Sequence, residues 1–331
     1  MMSRALLPLV PALILLAACP AGAEPRFEVP VACEVGRDCF VQNYVDQDPG
    51  PGRLDFACGP LSYDRHGGTD FRVRDLVAMA QGTTVVAAAP GVVRGVRDGM
   101  EDVSLREIGA EAIRGREAGN AVVIDHGDGW ETQYSHMRKG SVRVAPGQQV
   151  EAGQPLGLIG LSGNTEFPHL DFLVRKDGQV VDPFVGLVPF TGCDAPRRPL
   201  WSAAALAALP YQPGGLLNAG FSLETPDAER LRRGEQRAES LPTGAPAIVF
   251  WVDAFGGRKD DLLVITLVAP DGRTLANRHG RLDRNLASLF SYAGTRRPAG
   301  GWIPGCYRGE VELRRGGQTV FRESRCLNHA G

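Results

Sequence analysis

Residues 119–136 read Gly119-Asn120-Ala121-Val122-Val123-Ile124-Asp125-His126-Gly127-Asp128-Gly129-Trp130-Glu131-Thr132-Gln133-Tyr134-Ser135-His136. Ala121 to Asp125 is a β-branched run, Glu131 to His136 alternates, and Gly127-Asp128-Gly129 between them signals a turn. Together they predict a β-hairpin. Period two puts Trp130, Thr132, Tyr134 and His136 on one face. His126 falls at the turn, where a side chain usually serves local hydrogen bonds. On either side, Val85 to Ala89, Gly91 to Val96 and His169 to Arg175 read as further short strands. Pro90-Gly91, Pro146-Gly147 and Asp177-Gly178 punctuate them. Ser104 to Arg116 reads as a helical insertion between two strands.

Beyond this region, Pro196-Arg197-Arg198-Pro199 breaks the pattern and Ser202 to Leu209 reads as a short linker helix. Strands follow at Ala247 to Ala254, Leu262 to Ala269, Tyr307 to Leu313 and Thr319 to Glu323. Regular strands and turns without clear helices predict a small β-sandwich, immunoglobulin-like. The chain of 331 residues, 43% hydrophobic, is long for one domain, and 42 glycines with 24 prolines favour a mainly β protein. The expected organisation is a leader at 1–23, a Cys-bearing N-terminal segment at 24–60 and a strand-rich domain at 61–194. A linker at 195–212 then leads to the accessory sandwich at 213–331.

The net charge is −2, and no basic block stands out, which argues against nucleic-acid binding. The N-terminus carries one cation, Arg4, then an apolar run from Ala5 to Ala18 too short for a membrane span. Ala21-Gly22-Ala23 before Glu24 fits signal-peptide cleavage. Leu16-Ala17-Ala18-Cys19 also resembles a lipoprotein box, in which Cys19 would be lipidated and anchor the protein to a membrane. Both readings imply export, to the periplasm or beyond. Six further cysteines fit disulfides in an oxidising compartment. Cys306 and Cys326 flank a hairpin turning at Gly316-Gly317, Cys33 and Cys39 suit a local loop, and Cys58 and Cys193 would clasp the first domain. No C-x-x-C pair suggests a zinc–cysteine site.

Three short stretches carry chemistry. In His66-Gly67-Gly68-Thr69-Asp70, the outer residues would lie about 13 Å apart on a straight strand, but a bent Gly-Gly segment brings them to one point. An imidazole and a carboxylate are ordinary zinc ligands. In His169-Leu170-Asp171-Phe172-Leu173-Val174, alternation sends Leu170, Phe172 and Val174 to the core. His169 and Asp171 then share the other face, about 7 Å apart. His136 ends the hairpin's second strand, placed to stabilise transition-state charge.

The run Gly119 to Trp130, then Thr132-Gln133-Tyr134-Ser135-His136-Met137, resembles the central strands of lysostaphin/LytM-type zinc metallopeptidases. Gly147-Gln148-Gln149-Val150, Gly153-Gln154-Pro155-Leu156-Gly157, Gly160-Leu161-Ser162-Gly163-Asn164 and Pro168-His169-Leu170-Asp171-Phe172 follow in that family's order. With His66 to Asp70 upstream, the resemblance covers roughly residues 60–185. It implies the duplicated-hybrid-motif fold and hydrolysis of peptide cross-links in peptidoglycan with one zinc ion. By position it implies His66 and Asp70 as metal ligands and His136 and His169 as the catalytic histidines. The family's third ligand is the second histidine of a His-x-His pair, and here Asp171 stands in that place.

Zinc with one histidine and two aspartates is formally neutral, where the family's set leaves it at +1, so it polarises a carbonyl less. Carboxylates bind zinc well, and a harder ligand set also suits Mn or Fe. Three readings follow from the residues: a metalloendopeptidase using His66, Asp70 and Asp171, whose metal and His169 activate water while His136 stabilises the oxyanion; a degenerate relative that binds peptidoglycan or regulates another cell-wall hydrolase; or an exported adhesion or carbohydrate-binding protein. The insertion at 98–118 is expected to shape access to the groove.

Overall fold

The protein is described here by a computed structural model covering residues 24–331; the expected signal peptide and Cys19 lie outside the described residues. The first half holds β1 (Cys39–Asn43), β2 (Gly68–Val73), β3 (Thr84–Val86), β4 (Gly91–Arg97), β5 (Asn120–Gly127) and β6 (Trp130–Met137). It continues with β7 (Gln149–Val150), β8 (Pro155–Leu158), β9 (His169–Lys176) and β10 (Gln179–Val180). The main sheet runs β1-β2-β9-β6-β5-β4-β7, with β10 paired to β9, and every pairing is antiparallel. β3 and β8 form a separate two-stranded sheet. The fold is mainly β, as the strand spacing predicts.

Alternation explains the core. Leu170, Phe172 and Val174 of β9 and Thr132 and Tyr134 of β6 are buried, and Tyr134 lies opposite Phe172 in register. Trp201 and Phe27 close over the same layer, each with its ring against Phe172. Fully burying one such ring stabilises by roughly 1.5–3 kcal/mol. The segment at 24–60 contains an element that its irregular composition hides: β1 adds an edge strand beside β2. The expected helix at 104–116 is instead two short turns, α2 (Leu105–Ile108) and a 3-10 turn at Ala110–Ile113. Gly109, at φ +75°, interrupts it. Before it lies α1 (Leu76–Gln81), capped by Asp75, and after the first half comes α3 (Ala203–Ala208), capped by Ser202.

The second half adds β11 (Gly215–Ser222), α4 (Ala228–Arg232), β12 (Ala247–Gly257), β13 (Leu262–Val268), β14 (Thr274–Arg281), β15 (Leu286–Arg296), β16 (Gly305–Arg315) and β17 (Gln318–His329). Two sheets, β11-β12-β15 and β14-β13-β16-β17, share a core that includes Ile248, Phe250, Ile265, Leu267, Val311 and Leu313. This is the expected sandwich. Relative to a constant-type immunoglobulin arrangement, the fourth strand has moved to the other sheet. β14 and β15 carry many polar positions, and for that reason their alternation is weak in the sequence.

Disulfides join Cys33 to Cys39, Cys58 to Cys193 and Cys306 to Cys326. Arg315 faces Gln318 across Gly316-Gly317, as hairpin arithmetic predicts. A bulge between Leu313 and Arg314 then shifts the register, so Cys306 faces Asn328 and the disulfide runs diagonally. The two halves touch on the polar face of the main sheet. Phe40 of β1 packs edge-on against Phe255 of β12, ring centroids 5.9 Å apart. Asn218 and Arg237 both donate to Asp75 at 2.7 Å.

Candidate metal centre

β2 and β9 build the centre together. Asp70 lies directly opposite Asp171 in their ladder, and His169 lies opposite Arg72. Opposed residues of an antiparallel pair point to the same face, so Asp70, Asp171 and His169 share the side away from the Phe172 core. His66 precedes β2. The backbone at Arg65 takes φ +61°, and His66 folds back until its Nε2 stands 3.3 Å from Asp70 Oδ1. Gly68 keeps the space open, since a Cβ there would collide with Asp171 Oδ1.

His136 reaches this group by a route that alternation does not give. Ser135 pairs with Asp171, so a regular strand would turn His136 back to the core beside Tyr134. The expected single face of Trp130, Thr132, Tyr134 and His136 therefore holds only for the first three, which are buried in the core. A register shift between Asn120 and Val122 gives β6 one extra residue, and His136 adopts φ +61°. This bulge swings the imidazole onto the polar face, where its ring centroid lies 4.8 Å from that of His169.

The hydrogen bonds fix both tautomers. His136 Nδ1 lies 2.7 Å from Ser162 O, and His169 Nδ1 lies 2.9 Å from Phe167 O. A carbonyl only accepts, so each Nδ1 carries the proton and each neutral ring has its lone pair at Nε2. His169 Nε2 stands 3.4 Å from Asp70 Oδ1. Asn43 Nδ2 donates to the other oxygen, Asp70 Oδ2, at 2.7 Å. Burial lowers the proton affinity of His169, but the Asp70 carboxylate outweighs it and the net shift is upward; His66 behaves alike. Those imidazoles hold Asp70 well below the usual carboxylate range against its burial. Asp171 is pushed up to about 6, first by burial and then by Asp70. His136 is pushed down to about 3, first by burial and then by His169.

Three of the eight described side-chain atoms that are buried without a hydrogen-bond partner converge here: His66 Nε2, Asp70 Oδ1 and Asp171 Oδ1. Buried polar atoms are nearly always paired, and leaving one unpaired costs about 1–3 kcal/mol. These three residues each offer a ligand atom, all within 4.8 Å of one another. One imidazole nitrogen and two carboxylate oxygens form a donor set that suits a divalent cation. The residues present thus fit a metal ion, and the ion would satisfy all three orphaned atoms at once.

The structure brings together all five residues singled out in the sequence, His66, Asp70, His136, His169 and Asp171. It leaves His126 outside, where the ring bridges Pro90 O and Thr132 Oγ1. Asn43, Ser162, Thr165 and Phe167 were not legible as site residues. Asn43 sits in a stretch without motif, and the others act largely through backbone carbonyls that any residue supplies.

Residues 64–183 match Peptidase family M23. Over 96 residues the chain is 38% identical to the murein hydrolase activator EnvC of Escherichia coli (strain K12), covering 28% of this chain and 22% of that protein. Over 124 residues it is 34% identical to the peptidoglycan DD-endopeptidase ShyA of Vibrio cholerae, covering 38% and 23%. Among solved structures, it is similar to the catalytic domain of a mutant of the prophage-encoded M23 protein EnpA from Enterococcus faecalis. That likeness has 25% identity and a TM-score of 0.31, covering 48% of this chain and 93% of that one. The matches span under a quarter of the length of EnvC and of ShyA. The chain thus contains a Peptidase family M23 domain, at residues 64–183.

Proposed function

We propose that this protein is an exported metalloendopeptidase that hydrolyses peptide cross-links of peptidoglycan with one zinc ion. The observation that carries this reading is the convergence of three unpartnered buried atoms, on His66, Asp70 and Asp171, beside two histidines. His66 Nε2, Asp70 Oδ1 and Asp171 Oδ1 would hold the ion. A bound zinc ion supplies Lewis acidity, polarising a peptide carbonyl and making water more acidic. The similarity to the DD-endopeptidase ShyA supports the substrate class. Three disulfides support export, because such bonds persist in oxidising compartments.

The two histidines divide the proton work by their surroundings. Neutral His136 presents only a lone pair at Nε2, and burial opposes its protonation, so it suits holding a water by accepting its hydrogen bond rather than taking its proton. His169 gains a proton more readily because Asp70 faces it, so it suits the acceptance of a proton from water and its return to the leaving amine. Proton acceptance at His169 is the role expected from the sequence, whereas an oxyanion role for His136 would need a proton that burial opposes. Peptidoglycan digestion by His136→Gln and His169→Gln tests the pairing. Loss of about 10²–10⁴-fold in each supports it, and full activity in either removes that residue from the mechanism.

A second reading has its own support. The chain is similar to EnvC, a murein hydrolase activator, and Asp171 departs from the family's histidine. On that reading the domain binds peptidoglycan or regulates another hydrolase. Metal-bound protein that pulls down purified peptidoglycan without releasing peptide fragments would favour it.

A further inference from the structure

Arg72 is the residue opposite His169 in the β2–β9 ladder, on the polar face of the sheet. It is only 2% exposed, among the largest fully buried side chains. No carboxylate among the described residues forms an ion pair with it. Nη1 donates to Gln42 Oε1 at 2.5 Å, and Nε has no partner. A buried guanidinium without a counter-ion costs several kcal/mol. It is retained here against another contact: the guanidinium carbon lies 4.4 Å from the centroid of the Phe167 ring. On such a face a desolvated cation gains about 2 kcal/mol. The Phe167 ring in turn lies 4.7 Å from the His169 ring, tilted by 36°. The same residue's carbonyl accepts from His169 Nδ1 at 2.9 Å, and Thr165 Oγ1, which donates to that carbonyl at 2.8 Å, lies 3.1 Å from Nδ1 as a second acceptor.

We propose that Arg72 is a positioning residue for His169, clamping Phe167 so that its carbonyl fixes the imidazole's tautomer and its Nε2 stays aimed at the centre. Guanidinium, phenyl and imidazole follow one another in contact, with Gln42 holding the outer end. Arg72 itself touches no reacting atom. His136 is oriented separately, by Ser162 O, and serves as an internal control. The catalytic consequence rests on the role proposed above for His169, but the positioning does not.

The test uses the full chain, freed of metal by chelation and labelled with 15N-histidine. Each ring N–H resonance is assigned by its His→Gln variant, and its solvent exchange is measured. In Arg72→Met, exchange of the His169 Nδ1–H is expected to be about tenfold faster or more, the effect of weakening one hydrogen bond, with the His136 Nδ1–H unchanged. Wild-type exchange at His169 in folded Arg72→Met would overturn the proposal. If Arg72→Met does not fold, and both signals vanish, Phe167→Leu decides. It keeps the carbonyl and removes the ring face, and selective acceleration at His169 supports the clamp while wild-type exchange rejects it. Because no metal or substrate is present, this outcome is independent of whether the protein is a zinc peptidase.

Discussion

Asp70 and Asp171 face each other across the β2–β9 ladder, each with one oxygen buried and unpartnered. Two carboxylates in register on one face repel unless a proton or a cation lies between them. Asp171 is pushed up, first by burial and then by Asp70, while the His66 and His169 imidazoles hold Asp70 down against its own burial. A divalent ion is the alternative, and it competes with the proton for the same oxygens.

Metal affinity should fall on acidification. Asp171 ligates only when ionised, and it titrates near 6 in the metal-free site. Below that value Asp171 adds about tenfold per pH unit to the loss of affinity, on top of the proton that His66, whose proton affinity is raised, must also release. Above it, the dependence on Asp171 should vanish. Competition against a chromophoric chelator at several pH values measures this, and flat affinity from pH 7 to 5 would exclude Asp171 as a ligand.

Asn43 should matter to the metal more than to the fold. Its amide holds Asp70 Oδ2 and leaves Oδ1 turned toward His66 and His169. Asn43→Ala should weaken metal binding by about 10–100-fold, the usual cost of losing an outer partner. A melting experiment on metal-free protein should show a change of only about 1–2 kcal/mol.

Gly68→Ala should abolish metal binding with little loss of strand structure. The added Cβ would meet Asp171 Oδ1 and force that carboxylate away. Elemental analysis of the variant, beside its circular dichroism, separates the two effects.

Asp182 should make stability depend on pH away from the site. It is buried, accepts from Phe184 N and Gln47 Nε2, and burial pushes its carboxyl up to about 7. The folded state therefore keeps a proton that the unfolded chain loses near 4. The stability it contributes is full below about 4 and is lost as pH rises to about 7, by up to about 1.4 kcal/mol per unit. Asp182→Asn should flatten this slope in urea titrations from pH 4 to 8. An unchanged slope would show that Asp182 is ionised in the folded state.

The legible parts of this molecule are those written in alternation and in spaced motifs. β9 could be read residue by residue, because its core and polar faces differ in chemistry. His66 and Asp70 were legible because Gly67-Gly68 removes the obstacle to a bend. His136 stands in a legible motif, yet its face is not legible, because a one-residue bulge with a left-handed histidine leaves no compositional trace. β1 was hidden for a different reason: the five residues Cys39–Asn43 are all buried, so no alternation marks them. Arg72 reads as a surface position by type, and only the packing of β1 and the second half over the sheet buries it.

The most direct measurement is the zinc content of the purified protein beside Asp171→Ala and Asp171→His, with peptidoglycan digestion by the same three proteins. Near-stoichiometric zinc in the wild type, lost in Asp171→Ala and accompanied by release of peptide fragments, is the expected result. A wild type that binds no metal and cleaves nothing, with both properties appearing in Asp171→His, would contradict it.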